Sequence, residues 1–400
     1  MIYYIDLNDS DPFKKIPQNV DSHRVLHIKA KLDLNGADGV TIIELRLAEK
    51  LQSSFITDWL VDDDEEGCCD EDETIKKFLE LGSNIYYVRN WNKSGKIKSK
   101  FARYCFYYDL FKHTGYRAVY CDTDSPSRVR LLYVAKMAGV PKRILHSHNS
   151  KCEGGIGSLN YRISQAMMPS VVTDCLACSQ AAAEWMFPKK IRNSVKIIRN
   201  GLDSNEWRFN SVVRARIRQE MGLQDAFVIG HVGRFVKQKN HQKLIAVFDE
   251  IYKRNDKARL ILIGDGPLNE EIHKDVEQRN INDAVFFIGI TDHVPDFMQA
   301  MDVFLFPSVF EGLPLTMIEA QAAGLPCICT DNISKEVKAT DLVEFLSLEE
   351  LNEKWAKFAL KFDTNYERKD TTEMIKAGGY DINDSAKQLT EILGGIETVK

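Results

Sequence analysis

The sequence has no long hydrophobic run. No stretch of its 400 residues approaches the 18 or so consecutive apolar side chains that a membrane-spanning helix needs. It also lacks an excess of positive charge. A net charge of −5 gives no general reason to expect nucleic-acid binding. The opening "MIYYIDLNDSDPF" carries acids and no basic cluster ahead of an apolar segment, so it does not read as a signal peptide. The nine cysteines are scattered and odd in number. Cys175/Cys178 and Cys327/Cys329 sit in strand-like runs with no second ligand pair at zinc spacing, which reads as reduced thiols in a cytoplasmic protein. There is no short-period repeat and no low-complexity tract.

What remains is ordinary for a globular chain, 44% hydrophobic and 28% charged, and long enough for two hydrophobic cores. Short apolar strands alternate with amphipathic helical stretches throughout. "RVLHIKA", "ITDWLV", "NIYYVRN", "RAVYCDT", "RILHSHN", "CLACS" and "VKIIRN" are strand candidates in the first half. "FVIGHVG", "ARLILIG", "AVFFIGI", "DVFLFPS" and "PCICTD" are those of the second. Strands separated by helical patterns imply βαβ units and a parallel sheet covered on both faces. Two such runs imply an α/β chain of two doubly wound domains, with ligands expected in a cleft between them. The irregular stretch "IIRNGLDSNEWRF" marks the boundary, giving domains 1–198 and 199–375 and a terminal segment 376–400. Within that segment "NDSAKQLTEILGG" reads as a helix capped by Asn383 or Asp384 and stopped at Gly394. The residues ahead of "RVLHI" suggest no role.

Two charge runs stand out. Residues 62–73 hold nine acids and no base, and read as a solvated loop leading into an acid-rich helix start. Residues Lys93–Arg103 hold five bases and no acid. They read as a solvated helix face or, more sharply, as a peripheral contact with an anionic membrane, at ~1 kcal/mol per basic side chain.

The most informative stretch is "FEGLPLTMIEA", residues 310–320. "DVFLFPS" reads as a strand ending at Ser308, and Pro314 suits the first turn of a helix running to Gly324. Backbone N–H groups of residues 312–316, Pro314 excepted, would then point toward the C-terminal edge of a parallel sheet, where anions are favoured. Glu311 would stand at the mouth, and Glu319 would lean back toward it from within the helix. Two carboxylates beside an anion make sense only if they accept from hydroxyls while cations offset the charge. "GRFVKQKN" supplies those cations: Gly233 closes a strand, and Arg234 and Lys239 follow it at the same edge.

"FEGLPLTMIEAQAAGLP", "GHVGRFVKQKNH", "LILIGDGPL" and "DVFLFPSVFEG" together resemble glycosyltransferase family 4, the retaining, nucleotide-sugar-dependent enzymes of GT-B fold. "SHNS", "CLACS", "IIRNGLD" and "TDNISKEV" extend the resemblance to its bacterial capsule and exopolysaccharide branch. The resemblance implies two Rossmann-like domains facing a deep cleft, with the terminal helix crossing back to the first. It implies an enzyme that moves a hexose or N-acetylhexosamine from a UDP-linked donor to a saccharide or polyprenyl-linked acceptor, without a metal or other cofactor. Arg234 and Lys239 would neutralise the leaving diphosphate, and Leu315 and Thr316 would offer it their amides. Glu319 would accept from the ribose hydroxyls. Glu311 would lie by the donor sugar with the amides of Gly312 and Leu313. The base would rest near Ile290 and Val294. His148 of "SHNS" would face the reacting sugar, donating to a hydroxyl, although a purely structural histidine at a strand end is the alternative. The enzyme would work in the cytoplasm, at the inner face of the membrane.

In that branch the first loop usually reads Gly-Gly-x-Glu. Here it is "LNGADGV", where Gly36 still allows close backbone approach while the acid is shorter and the second glycine displaced. A sugar-nucleotide epimerase of the same architecture, or a partner subunit without turnover, are the rival readings. Asp122-x-Asp124 has the form of a metal-holding pair but lies away from the paired glutamates. "GDGPLN" lacks the third glycine of a dinucleotide loop.

Overall fold

In the computed structural model, the described residues are 1–6, 11–29, 39–61, 73–89, 96–123, 125–148, 159–363 and 366–394. Gly36, Asp38 and Asp124, together with Lys93 to Gly95 of the basic run, lie outside them. The chain forms two units, Met1–Asn200 with Ile382–Lys400, and Gly201–Asp381. The division falls two residues beyond the 198/199 boundary read from sequence. The terminal segment that rejoins the first unit begins at Ile382 rather than 376.

Among its described residues the first unit holds eight strands: β1 (Ile2–Asp6), β2 (Arg24–Lys29), β3 (Ile56–Val61), β4 (Ile85–Arg89), β5 (Ala118–Thr123), β6 (Lys142–Ser147), β7 (Asp174–Ala177) and β8 (Lys196–Ile197). Their order is β1-β4-β3-β2-β5-β6-β7-β8, and each described pairing is parallel. From β2 the chain winds one way through β3 and β4. It then restarts at β5 on the other side of β2, so the switch point lies between β2 and β5.

The opening residues do have a place. "IYYID" pairs in register with β4, Ile2 opposite Ile85 and Asp6 opposite Arg89, and Tyr3 stacks on Tyr86 at 5.2 Å. Aromatic side chains in neighbouring strands bury area at little entropic cost, and that suits an edge strand otherwise held by one neighbour.

The second unit holds β9 (Phe227–Val232), β10 (Ala258–Ile263), β11 (Val285–Gly289), β12 (Val303–Phe306), β13 (Cys327–Thr330) and β14 (Val343–Leu346). Their order β11-β10-β9-β12-β13-β14 puts the switch point between β9 and β12. All six residues of β9 are buried, as a central strand covered on both faces requires. One core packs around Val228, Ile261, Phe304 and Ile318, and the other around Ile229, Phe248, Leu260 and Trp355. Helix His241–Tyr252 buries Leu244, Ile245, Val247, Phe248 and Ile251, the spacing of one helical face.

Two local readings are corrected. β12 ends at Phe306, before Ser308, and Pro314 sits immediately ahead of helix Leu315–Ala322 rather than in its first turn. A proline there costs nothing, because its missing N–H would have no helical partner. Likewise the terminal helix starts at Ile382, so Asn383 and Asp384 lie inside its first turn instead of capping it, while its last residue is Gly394. That helix buries Ala386, Leu389, Ile392 and Leu393 against Val25, Leu51, Ala118, Tyr120, Ile144 and Leu176 of the first unit.

Candidate active site

At the switch point of the second sheet, the loops after β9 and β12 are tied together by backbone and side chain. Val309 N donates to the Gln238 carbonyl at 2.8 Å, Gln238 Nε2 to the Phe310 carbonyl at 3.0 Å, and Asn240 Nδ2 to the Pro307 carbonyl at 3.1 Å. Asn240 adopts the left-handed region (φ 56°), and its side chain caps helix His241–Tyr252. An asparagine tolerates that conformation and supplies the capping oxygen, so one residue turns the chain and starts the helix.

This scaffold fixes Lys239. Its Nζ lies 2.8 Å from Glu311 Oε1 and 4.8 Å above the Phe306 ring. The contact is off the hydrogen-bonding direction, leaving Oε1 buried without a hydrogen bond. Arg234, two residues past β9, is exposed and makes no ion pair with any described residue. Gly312 is half-buried and Leu313 buried between Glu311 and the start of helix Leu315–Ala322. Thr316 Oγ1 and, earlier in the chain, Ser308 Oγ are buried with no hydrogen-bond partner among the described residues. Unpaired buried hydroxyls are rare and mark places where a ligand or water completes the bonding. Glu319 is half-buried in the second turn of the same helix. Ile290 (58% exposed) and Val294, the first residue of helix Val294–Ala300, follow β11 at the same edge.

"GDGP" buttresses this loop. Gly264 (φ +132°) lies so close that a Cβ there would sit 2.2 Å from the Gly233 carbonyl oxygen, and one on Gly266 would sit 2.6 Å from that of Phe235. Phe235 N donates to the Asp265 carbonyl at 2.8 Å. The two glycines therefore hold the backbone that presents Arg234. Below lie His231 and His241, 4.9 Å apart edge to face. Burial depresses both, His241 to about 4, so neither adds positive charge to the site at neutral pH.

His148 belongs to the first unit, just past β6, where it joins a cluster that sequence reasoning missed. Asp122 on β5 accepts from His148 Nε2 at 2.8 Å and from His27 Nε2 on β2 at 2.7 Å. His146 Nδ1 is 2.5 Å from the Tyr120 hydroxyl. Lys29 Nζ reaches Glu44 of helix Gly39–Leu51 at 2.5 Å and Thr41 at 2.8 Å. Asp122, His146 and His148, or His27, Glu44 and Asp122, are also close enough to share a cation. The signal was present in the alternation His27-x-Lys29, Tyr120-x-Asp122 and His146-x-His148, polar side chains two apart at the ends of three strands.

Two doubly wound parallel units, with cations and acids gathered at the switch point of the second, define a glycosyltransferase of GT-B fold. Solved structures share that fold. A Rickettsia africae glycosyltransferase superposes with a TM-score of 0.73 at 13% identity, over 95% of this chain and all of that one. Anabaena Alr3699/HepE, crystallised with UDP-glucose, superposes at 0.70 and 16% identity over 93% and 99%. The Glycosyl transferases group 1 profile matches residues 213–361. The putative glycosyltransferase EpsF of Bacillus subtilis is 32% identical over 346 residues, 84% of this chain and 87% of that protein. The UDP-Gal:alpha-D-GlcNAc-diphosphoundecaprenol alpha-1,3-galactosyltransferase of Escherichia coli is 23% identical over 77% and 79% of the two chains. The chain belongs to the group 1 glycosyltransferases, glycosyltransferase family 4.

Proposed function

We propose that this glycosyltransferase moves a hexose or N-acetylhexosamine from a UDP-linked donor to a saccharide or lipid-linked saccharide, with retention, in cell-surface polysaccharide synthesis. The observation that carries the reading is the pairing of Lys239 with Glu311 at the second sheet's switch point, with Arg234, which makes no ion pair with any described residue, on the same loop. It is supported by the UDP-glucose held by the Anabaena neighbour and by the diphosphoundecaprenol acceptor named for the Escherichia coli relative.

In the proposed reaction the glycosidic bond to the diphosphate loosens first. Positive charge spreads over the sugar ring, and negative charge gathers on the leaving phosphate. Groups fixed in advance and aimed at developing charge are the chief catalytic resource. Arg234, Lys239 and the amides of Leu315 and Thr316 take that role, with no metal required. Glu319 accepts from the ribose hydroxyls, and the base rests near Ile290 and Val294. Glu311, with the Gly312 and Leu313 amides, receives sugar hydroxyls, and the Lys239 ammonium stands 2.8 Å from it. The incoming hydroxyl gives its proton to the departing phosphate on the same face, so Glu311 is not the nucleophile of a glycosidase-like double displacement. Contact with an anionic membrane through Lys93–Arg103 brings the enzyme to a lipid-linked acceptor. Phe101 within that segment is 73% exposed.

Incubating the purified chain with a panel of nucleotide sugars, with and without membrane lipid extract, tests the proposal. UDP release that depends on the extract, with the product's anomeric configuration matching the donor's by NMR, is the expected outcome. A donor isomerised without acceptor, or bound without turnover in any mixture, overturns it.

A further inference from the structure

His231, next to last in β9, has no role in the proposed reaction. β9 pairs with β12 at Ile229–Val303 and Gly230–Phe304. Just beyond, the His231 side chain continues the tie, its Nδ1 lying 2.8 Å from the Leu305 carbonyl. A carbonyl only accepts, so Nδ1 bears the proton. Burial above all holds the ring well below the usual histidine range, and it is neutral. The lone pair therefore stands on Nε2. That nitrogen is buried and has no hydrogen-bond partner among the described residues. A buried acceptor left unpaired is costly, and its retention points to a partner that arrives with the substrate.

The ring is held in place. Phe304 and Phe306 stack beside it at 6.1 and 5.6 Å, and His241 closes it edge-on at 4.9 Å. Its free nitrogen faces the Lys239 side chain. Side chains two apart along a strand share a face, and two residues after His231 comes Gly233. A Cβ on Gly233 would lie 3.2 Å from His231 Nε2 and 3.2 Å from both Cδ and Cε of Lys239, tighter than ordinary contact at every one. The missing side chain is thus the gap across which nitrogen and lysine meet. Lys239 Nζ in turn lies 4.8 Å over the Phe306 ring and 2.8 Å from Glu311 Oε1. We infer that His231 is a positioning residue for Lys239: its Nε2 accepts one hydrogen of the ammonium when the diphosphate is bound, aiming the others at a phosphate oxygen and at Glu311.

The chemistry of the pair explains the choice of residue. An ammonium is a point charge with three hydrogens on a flexible stem, and it needs an acceptor to aim it. Glu311 is one, but a carboxylate also offsets the charge that the diphosphate is to meet. A second carboxylate at position 231 would cancel that charge, and an imidazolium would repel it. A neutral imidazole orients the cation and leaves its charge whole. Set rigidly on a buried strand, it is fixed before the substrate arrives, which is where groups aimed at developing charge gain their effect. His241 is the competing partner for Nε2, since both its ring nitrogens are also buried and unpartnered among the described residues. The two rings meet edge to face, and no hydrogen bond joins them.

The inference rests on the reading of Lys239 as a diphosphate ligand, and the experiment separates the two. UDP and uridine are titrated by calorimetry into the full chain as wild type, His231→Leu, His231→Gln, Lys239→Met, and His231→Leu combined with Lys239→Met. Glutamine keeps a neutral acceptor near the place of Nε2. His231→Leu weakens UDP binding about tenfold and uridine binding less than about twofold. His231→Gln restores most of the UDP affinity. With Lys239→Met already present, His231→Leu adds less than about a twofold loss. Equal losses for UDP and uridine, or losses that add in full to those of Lys239→Met, overturn the inference and leave the role of Lys239 standing. UDP affinity unchanged in Lys239→Met overturns that role and the inference together. Where the His231 variants do not fold, ¹⁵N-histidine NMR of the wild type and Lys239→Met decides. UDP at saturation shifts the unprotonated nitrogen of one neutral, Nδ1-protonated ring in the wild type and not in Lys239→Met. The lack of any such ring, or the same shift in both proteins, overturns the inference.

Discussion

At the scale of single residues, the second unit keeps its charges in check by making them answer each other. Lys239 sits on Glu311, and the histidines beneath are neutral. Glu319→Ala removes the proposed charge-assisted contacts to the ribose and weakens donor binding by ~2–3 kcal/mol, measured by calorimetry. His241 gives a pH signature. Its folded value is about 4 against 6.5 for the free side chain, so below pH 6.5 the unfolded chain takes up a proton that the folded chain refuses. Stability is therefore unaffected above that range and lost on acidification from 6.5 toward 4, by up to about 1.4 kcal/mol per pH unit for this group. Urea unfolding at pH 7, 6 and 5 shows the loss in the wild type and a shallower one in His241→Gln. The positions of Arg234, Lys239, Glu311 and Glu319, as distinct from their proposed roles, were legible because each stands at a fixed offset from a strand end or helix start. Asp122 was not. The sequence offered Asp122-x-Asp124 as a pair, while the partners that matter, His27 and His148, reach it across strands far apart in the chain.

At the scale of elements, periodicity carried most of the fold. The runs of β9 and β13 are buried along their length, and that of β10 at all but Arg259, and they were plain as strands. The five residues of β1 were missed, although Ile and Tyr favour strands and the turn signal "NDSDP" follows, because no helical pattern joins them to the next strand. Their partner, β4, lies some eighty residues on. The terminal helix was visible from its spacing, and its packing gives it consequence. Leu389 is 5% exposed between helix Gly39–Leu51 and the sheet. Leu389→Ala costs about 2–5 kcal/mol through the cavity it leaves, read as a lowered Tm by calorimetry.

At the scale of the whole molecule, the two units have separate sheets, separate switch points and separate polar sites. The number of domains followed from two runs of alternating strands. The fold-back of the last residues came only from resemblance, since nothing in a helix's own sequence says which sheet it covers. UDP alone separates the units experimentally. On the proposed reading it slows hydrogen exchange within residues 201–381, chiefly after β9 and β12. At a hundredfold excess over Kd it stabilises that unit by ~2.7 kcal/mol. Protection centred on the first unit instead would reassign the nucleotide.

The return of Ile382–Gly394 to the first unit also orders the protein's birth. Translation completes the eight strands early. Yet Val25, Ala118 and Ile144 wait without the leucines that cover them until residues 382–394 have been made, after the whole of the second unit. The unit begun before the other at the ribosome is thus finished after it, and its sheet needs shielding from neighbouring nascent chains throughout the synthesis of the other.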